Sequence, residues 1–487
     1  MPTRKQLPLV WGIDTRDGTM SKDSKVGNMV LTMTSSGPTL QKRPGLDIWY
    51  SYGPGPAQGV FSYIGTLCYI IGGMVYQVVS TRGATPPTGS AIPGPPTTGV
   101  LYDALPAFDN ATTAPAFKST DGGYTYSGGV VTVISGFPAG TCAGLAFLDG
   151  TYYVMSRSTI YASAYGDYTT WPGLNTVNTD AAYGNGVAIA AHTAYLVVLM
   201  ESGTQFFYDA GISPGAPIAQ VSNGAVGIGC ANGRSVVSFE DTLYFLARDI
   251  DGSLCVGQFT ALTFQRISTP AIEKILAQSN LAEPIPRYGL PLAPPTVLAS
   301  CGVVLGKPVY LLTLPSYGVL GGITLCYDIT DSLWTYWTTG AGSFQGVYLT
   351  GGSASFYSTL NSSFAVGLTN GAVCTLSEGY YQDFTDVAIT CFIRTPSTDE
   401  GTYAVKFVAG AYLHSDTIST TVSVTYSNDD YQTFAVPRTI DLSTQKKQMV
   451  RGGSYRHRSW DLTHTDVTDF RVRALEIEYT PVGEDNE

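Results

Sequence analysis

The chain has 487 residues and a formal charge of −11, from 26 Lys and Arg against 37 Asp and Glu, and only 13% of its side chains are charged, where about 25% is usual for a globular domain. Hydrophobic content of 44%, with 32 Tyr, 19 Phe and 6 Trp, excludes disorder, and no apolar run reaches the roughly 18 residues of a membrane span. The acidic balance excludes a tight, phosphate-driven grip on nucleic acid, which needs clustered Lys and Arg.

Met1-Pro2-Thr3-Arg4-Lys5-Gln6 leads into no apolar segment of the kind a secretory signal requires, and residues 1–55 read as an N-terminal arm with the first strands. From there Gly (55) and Pro (28) punctuate short apolar runs, a pattern of many short strands joined by tight turns. A unit recurs: a turn, an apolar-Tyr-apolar strand, a second turn and a second apolar strand. Gly65-Thr66-Leu67-Cys68-Tyr69-Ile70-Ile71, Thr151-Tyr152-Tyr153-Val154-Met155, Ala194-Tyr195-Leu196-Val197-Val198-Leu199, Thr242-Leu243-Tyr244-Phe245-Leu246 and Pro308-Val309-Tyr310-Leu311-Leu312 open five copies, and Phe364-Ala365-Val366-Gly367-Leu368 opens a weaker sixth. Starts near 67, 151, 194, 242, 309 and 364 give intervals of 84, 43, 48, 67 and 55, close to the roughly 40–50 residues of a four-stranded propeller blade with insertions. The expected fold is all-β: a β-propeller of about six irregular blades over 56–80 and 141–380, with the N-terminal arm and a C-terminal β-sandwich-like element.

The first interval, 84 residues, is the longest, and within it 81–140 reads as an inserted Pro/Gly/Thr-rich loop or tip. One helix is expected from Thr269, with Pro270 in the first turn, Glu273 near the positive end, and Ile272, Ile275 and Leu276 on one face. After about Tyr380 the repeat stops. Residues 381–487 carry longer alternating strands, such as Val422-Ser423-Val424-Thr425-Tyr426 and Phe470 to Tyr479, and form a C-terminal β-rich domain or ring closure.

The eight cysteines never fall closer than 17 positions apart and sit in apolar runs, which reads as buried reduced thiols rather than zinc or redox pairs. His192, His414, His457 and His464 show no metal-ligand spacing, and no cofactor is expected. Gly211-Ile212-Ser213-Pro214-Gly215 matches a nucleophile elbow in letters, but Pro214 has no N–H for an oxyanion hole and no helix can follow. Gly227-Ile228-Gly229-Cys230-Ala231-Asn232-Gly233 likewise reads as a turn, with the wrong spacing for a dinucleotide loop. Phe392-Ile393-Arg394-Thr395-Pro396 only loosely resembles the arginine motif of sialidases. The chain is expected not to be an enzyme.

Two constellations stand out. Ser119, Asp121, Gly123 and Tyr126 fit the Asp-box pattern Ser-x-Asp-x-Gly-x-x-aromatic, and Ser427, Asp429 and Phe434 fit it with Tyr431 in place of the glycine. Here Ser and Asp bond turn amides while the aromatic anchors the hairpin, a structural role common in propellers. Lys446, Lys447, Arg451, Arg456, His457 and Arg458 form the one basic concentration of this acidic chain. It reads as a solvated strand face or as a contact with DNA or an acidic neighbouring subunit.

With strands and repeat in place, the chain resembles the tail hub or nozzle proteins of short-tailed bacteriophages, also called packaged-DNA stabilisation proteins. The resemblance is carried by Gln6-Leu7-Pro8-Leu9, Val26-Gly27-Asn28-Met29-Val30-Leu31, Leu40-Gln41-Lys42-Arg43-Pro44-Gly45-Leu46, Ala190 through Phe206-Phe207-Tyr208, and Ser268 to Leu276. The strand Phe470-Arg471-Val472-Arg473 to Glu476-Ile477-Glu478 is similar in kind, and 80–140 departs from the pattern. The resemblance implies a structural virion subunit that assembles in the host cytoplasm into a hexameric ring below the portal and adaptor. Needle, fibre or spike proteins would be further partners. Such a ring would retain packaged double-stranded DNA and conduct it during ejection, touching it only transiently. A different class, an Asp-box propeller that binds or cleaves host glycans, is the alternative expectation.

Overall fold

The computed structural model of the chain describes residues 2–482, apart from 23, 36, 52–56, 64–65, 72–73, 79–88, 93–100, 106–115, 120–121, 128–129, 213, 280–296, 315–322, 340–346, 349–356, 359–362, 369–371 and 385–386. Antiparallel pairing dominates, because the short apolar runs are separated by turns too brief for a crossover. Among the described residues, seven sheets with a four-strand path follow one another: 57–92, 101–133, 146–178, 186–220, 229–266, 298–337 and 347–377, the last completed by Gly45–Ser51. The first strands of neighbouring sheets meet, Ala57–Tyr63 against Leu101–Leu105 and Ala146–Leu148 against Gly186–His192, so they line the axis. Ser363–Leu368 packs on Ala57–Tyr63, bringing the seventh blade back to the first.

The sheet at 101–133 was not visible as a repeat. It occupies the second half of the 84-residue interval, where an inserted loop or tip was expected, and raises the count from about six blades to seven. Its strands read LYDAL, AFKS, GYTYS and VVTV, with none of the long apolar-Tyr-apolar runs that mark the other copies. The Pro-rich run from Thr85 to Pro115 lies largely outside the described residues.

The ring is closed by the N-terminal strand rather than by the C-terminal part: Gly45 stands opposite Ser377 and Ser51 opposite Ala372. Residues 3–42 are not a separate arm. Thr3–Pro8, Met29–Thr34 and Gly37–Lys42 share a sheet with Val405–Ser415, Gln448–Tyr455 and Arg471–Val482. Lys25–Gly27 pairs with Cys391–Arg394 in a second sheet that continues through Ser459–His464, Thr421–Ser427 and Arg438–Asp441. The two sheets enclose one core, including Leu9, Val26, Ile393, Val424, Trp460 and Ile477. Each such fully buried side chain contributes about 1.5–3 kcal/mol. The second sheet also runs into the propeller, since Gly27 lies beside Tyr336 of the sixth blade in a parallel bridge, giving nine strands in a row.

Alternation along Arg471–Val482 changes phase. Val472 and Ala474 are buried, then Leu475, Ile477 and Tyr479. The slip sits where pairing shifts between His414 and Ser415, a bulge that keeps both apolar sets on the core face.

The expected helix forms over Pro270–Gln278, with the Thr269 hydroxyl accepting from the Ile272 N–H and Ala271, Ile272, Ile275 and Leu276 buried. Ile13 and Met20 of the N-terminal segment join the same core cluster, and the Lys274 ammonium donates to the Thr15 carbonyl at 3.3 Å. Cys142, Cys230, Cys255, Cys301, Cys326, Cys374 and Cys391 are buried free thiols, with burial pushing Cys255 up to about 11. Cys68 lies outside the residues whose side chains are described.

Candidate functional site

Where propeller and sandwich meet, three side chains from distant parts of the sequence form a buried polar knot. Asn28, at φ 57°, receives the Thr338 N–H and the Arg43 Nε–H on its Oδ1 at 2.8 and 3.0 Å, and donates to the Thr390 carbonyl at 2.8 Å. Arg43, almost fully buried, donates to both carboxylate oxygens of Asp383 at 2.9 and 2.5 Å and to the carbonyls of Pro44 and Thr338. Asp383 has no exposed surface and also accepts from the Leu46 N–H at 3.2 Å. Forked, fully bonded geometry of this kind is what makes a buried ion pair tolerable. Gly45 is required beside it, because a Cβ there would lie 2.0 Å from the Gln382 carbonyl oxygen. Asn28, Arg43 and Gly45 all belong to the N-terminal segments on which the family resemblance rests. Asp383, more than 300 residues away, carried no local signal.

The basic concentration separates into two sets. Arg458 is fully buried, its guanidinium 3.8 and 4.1 Å from the ring centres of Tyr426 and Tyr455, with Nε donating to Asn428 Oδ1 at 2.8 Å and NH1 to the Gly452 carbonyl at 2.7 Å. Burial pulls its pKa down to about 10, leaving it charged at neutral pH. Lys447 is buried as well and donates to the Ser415 carbonyl and the Thr417 hydroxyl. These two belong to the sandwich interior and have next to no side-chain surface for DNA or a subunit, which corrects their assignment to a contact surface. Lys446, Arg451, Arg456 and His457 are exposed along and beyond the edge strand Gln448–Tyr455. Arg456 donates to the Tyr403 carbonyl at 2.9 Å and lies over its ring.

The Asp-box turn at 427–434 forms. The Ser427 hydroxyl accepts from the Tyr431 N–H at 3.0 Å and donates to Asp429, whose carboxylate accepts from the Thr433 N–H at 2.9 Å and from the Thr433 hydroxyl. Those bonds, the Thr433 hydroxyl's first, hold Asp429 down to about 2. The anchoring aromatic is Tyr431, in the glycine position, which is buried and whose hydroxyl accepts from the Ser397 N–H at 2.9 Å. Phe434, expected to fill that role, is 39% exposed and lies under the Arg394 guanidinium at 4.7 Å. Arg394 itself is taken up internally, by both oxygens of Asp461 at 2.9 and 2.6 Å and by the Ser21 carbonyl. The Ser427 hydroxyl and Asp429 carboxylate are thus engaged within the turn, and Arg394 is engaged within the fold. In the other Asp-box the side chains of Ser119, Asp121 and Tyr126 lie outside those described. Gly123 permits close approach of Phe137, whose ring a Cβ would meet at 2.2 Å.

Gly211 and Gly215 both have positive φ, in the link between Thr204–Asp209 and Ile218–Gln220. The elbow-like letters therefore lie in a strand-to-strand turn, with Ser213 outside the described residues. Among the described residues no group of His, Cys, Asp or Glu is placed to hold a metal, and no helix is long and apolar enough to cross a membrane.

His464 is buried against Phe470, with ring centroids 4.6 Å apart, and its Nε2 lies 3.1 Å from the Thr420 hydroxyl. Burial, with Lys42 nearby, lowers its pKa from 6.5 to about 4. The unfolded chain therefore takes up a proton below about pH 6.5 that the folded chain refuses until about pH 4. Stability present above pH 6.5 is expected to fall through that window, by up to ~3 kcal/mol. Urea titrations at pH 7 and pH 4.5 check this: His464→Gln should lose less stability on acidification than the wild type, and an equal loss in both would refute it.

Comparisons with known proteins bear on the same elements. The family model described as bacteriophage P22 Gp10, beta-propeller, matches residues 5–284, which takes in the N-terminal strands, five blades and the helix. No curated protein matches by sequence. Solved structures similar to the chain include the extracellular domain of the hybrid two-component system BT4673 from B. thetaiotaomicron, at TM-score 0.40 and 10% identity over 77% of this chain, which spans only 44% of that one. The N-terminal domain of Nup159 is similar at TM-score 0.41 and 9% identity, over 72% of this chain and 98% of that one. At these scores neither bears on what this chain does. The family match covers more than half of the sequence and includes Asn28, Arg43 and Gly45 of the polar knot, and on it the chain belongs to the phage stabilisation family of P22 Gp10, a β-propeller family of virion-associated structural proteins.

Proposed function

We propose that the protein is a tail nozzle or hub subunit, forming a six-fold ring below the portal and adaptor that holds packaged DNA in place and later lets it out. The family match over residues 5–284 is the observation that carries this reading. The first strands of the blades, AQGVFSY, LYDAL, AFL, GVAIAAH, GC, LASCGVV and VY, contain one carboxylate and no Lys or Arg. Such an axis offers a polyanion nothing to bind. A net charge of −11 also suits a passage that must not hold its DNA, because like charge repels phosphate within a Debye length of roughly 8–10 Å.

Phage particles assembled without this protein are expected to package DNA and then leak it, seen as DNA that becomes nuclease-sensitive after packaging ends. Retention of full-length protected DNA in such particles would overturn the proposal.

A further inference from the structure

Two exposed surfaces of this one chain are opposite in charge and alike in apolar content. In a four-stranded antiparallel blade the first and third turns lie at the same end. The Gly166 N–H donates to the Gly150 carbonyl at 2.8 Å, joining the two turns in the third blade. In the third to fifth blades this end carries Asp149, Asp167, Asp209, Glu240 and Asp241, and its turns hold no Lys or Arg. Tyr165, Leu174 and Ile212 stand exposed among the carboxylates.

The second surface is the free edge of the sandwich, where Gln448–Tyr455 ends its sheet. From Val436 to Arg458 the chain has six Lys and Arg against a single carboxylate, Asp441. Arg438, Lys446, Arg451 and Arg456 are exposed, and Phe407, Val436 and Val450 lie exposed nearby. The Arg438 guanidinium donates to the carbonyls of Val450 and Arg451, which occupies acceptors that an added strand would use. The edge therefore presents side chains, not backbone.

We propose that the basic sandwich edge of one copy docks on the acidic turn face of blades three to five of a second copy. Charge complementarity between the two surfaces is the argument for that occupant. Exposed Phe407, Val436 and Val450 have no partner on a phosphate backbone, whereas Tyr165, Leu174 and Ile212 match them in kind, so a protein surface fits this edge better than DNA. Contacts mixing apolar side chains with opposed charges are typical of specific interfaces. Because the two surfaces differ, the contact is head-to-tail, and repeating it gives a ring where the rotation closes. The inference rests on the ring reading for that closure alone.

Sedimentation of the full chain tests it with three variants: Lys446→Glu with Arg451→Glu, Glu240→Lys with Asp241→Lys, and all four together. Either double reversal is expected to weaken association about tenfold or more, with the combined swap restoring it. All four positions are exposed, and unchanged far-ultraviolet spectra would show that the variants fold. As a second measurement, zero-length carboxyl–amine cross-linking of the wild type should join a peptide containing Lys446 to one from 149–241. Assembly by the wild type and all variants alike, or reversal that changes only binding to a DNA duplex, would overturn this contact and leave the ring reading standing. A wild-type chain that stays monomeric would overturn both.

Discussion

Deletion of residues 1–51 is expected to abolish folding of the propeller and the sandwich together, leaving a chain that neither melts cooperatively nor elutes as a single species. The deletion removes three strands from one sandwich sheet, one from the other, and the strand that closes the seventh blade. Leu7, Leu9, Val26, Met29, Leu31 and Leu40 leave the shared core at once. At about 1.5–3 kcal/mol for each buried side chain, their loss, about 9–18 kcal/mol in all, matches the whole 5–15 kcal/mol that holds a typical domain. The deletion also uncovers the edge Ala372–Ser377, a template for aggregation. Circular dichroism and size-exclusion chromatography of residues 52–487 check this, and a soluble fragment with a sharp transition would refute it.

Arg43→Ala is expected to cost about 3–5 kcal/mol, because it leaves the Asp383 carboxylate buried without its cation. The Asn28 amide oxygen and the Thr338 carbonyl also lose donors, and the Trp337 ring loses the guanidinium 5.8 Å from its centre. Replacing Asp383 by Asn in the Arg43→Ala background should recover part of the loss, since the isolated charge is then gone. Denaturant midpoints of wild type, single and double variants check both statements. A change below about 1 kcal/mol on Arg43→Ala, the range of an exposed pair, would show that the pair does not hold the joint.

Much of the propeller was legible because blades repeat and because apolar-Tyr-apolar strands announce their own burial. The blade at 101–133 escaped because its strands are short and LYDAL, AFKS and GYTYS break their apolar runs with Asp, Lys, Ser and Thr. The helix after Thr269 was readable from its cap and one-sided apolar spacing. The merging of both termini into one sandwich was not, since Thr3–Pro8 and Arg471–Val482 each read as an ordinary strand and pairing partners leave no trace in single-strand alternation. The basic concentration misled by composition alone. Lys446, Arg451 and Arg456 are exposed, whereas Arg458 stacks on Tyr426 and Tyr455 inside the fold, and sequence proximity cannot tell an edge from a core. The Asp-box letters located the turn but not its anchor, because Tyr431 reaches the core from a position where the pattern expects glycine.

The pairing of Gly45–Ser51 with Ala372–Ser377 sets an order of events during synthesis. More than 300 residues separate the two strands, so at about 5–20 residues per second the first strand waits roughly 15–65 seconds for its partner to be made. Blades one to six and the helix can condense meanwhile, since their contacts are local. The last blade must wait for Ala372–Ser377 and both sandwich sheets for the strands that follow it, and closing loops of that length before any contact compensates makes these steps slow. The propeller ring is therefore sealed only after its other blades are made, by a strand synthesised before any of them.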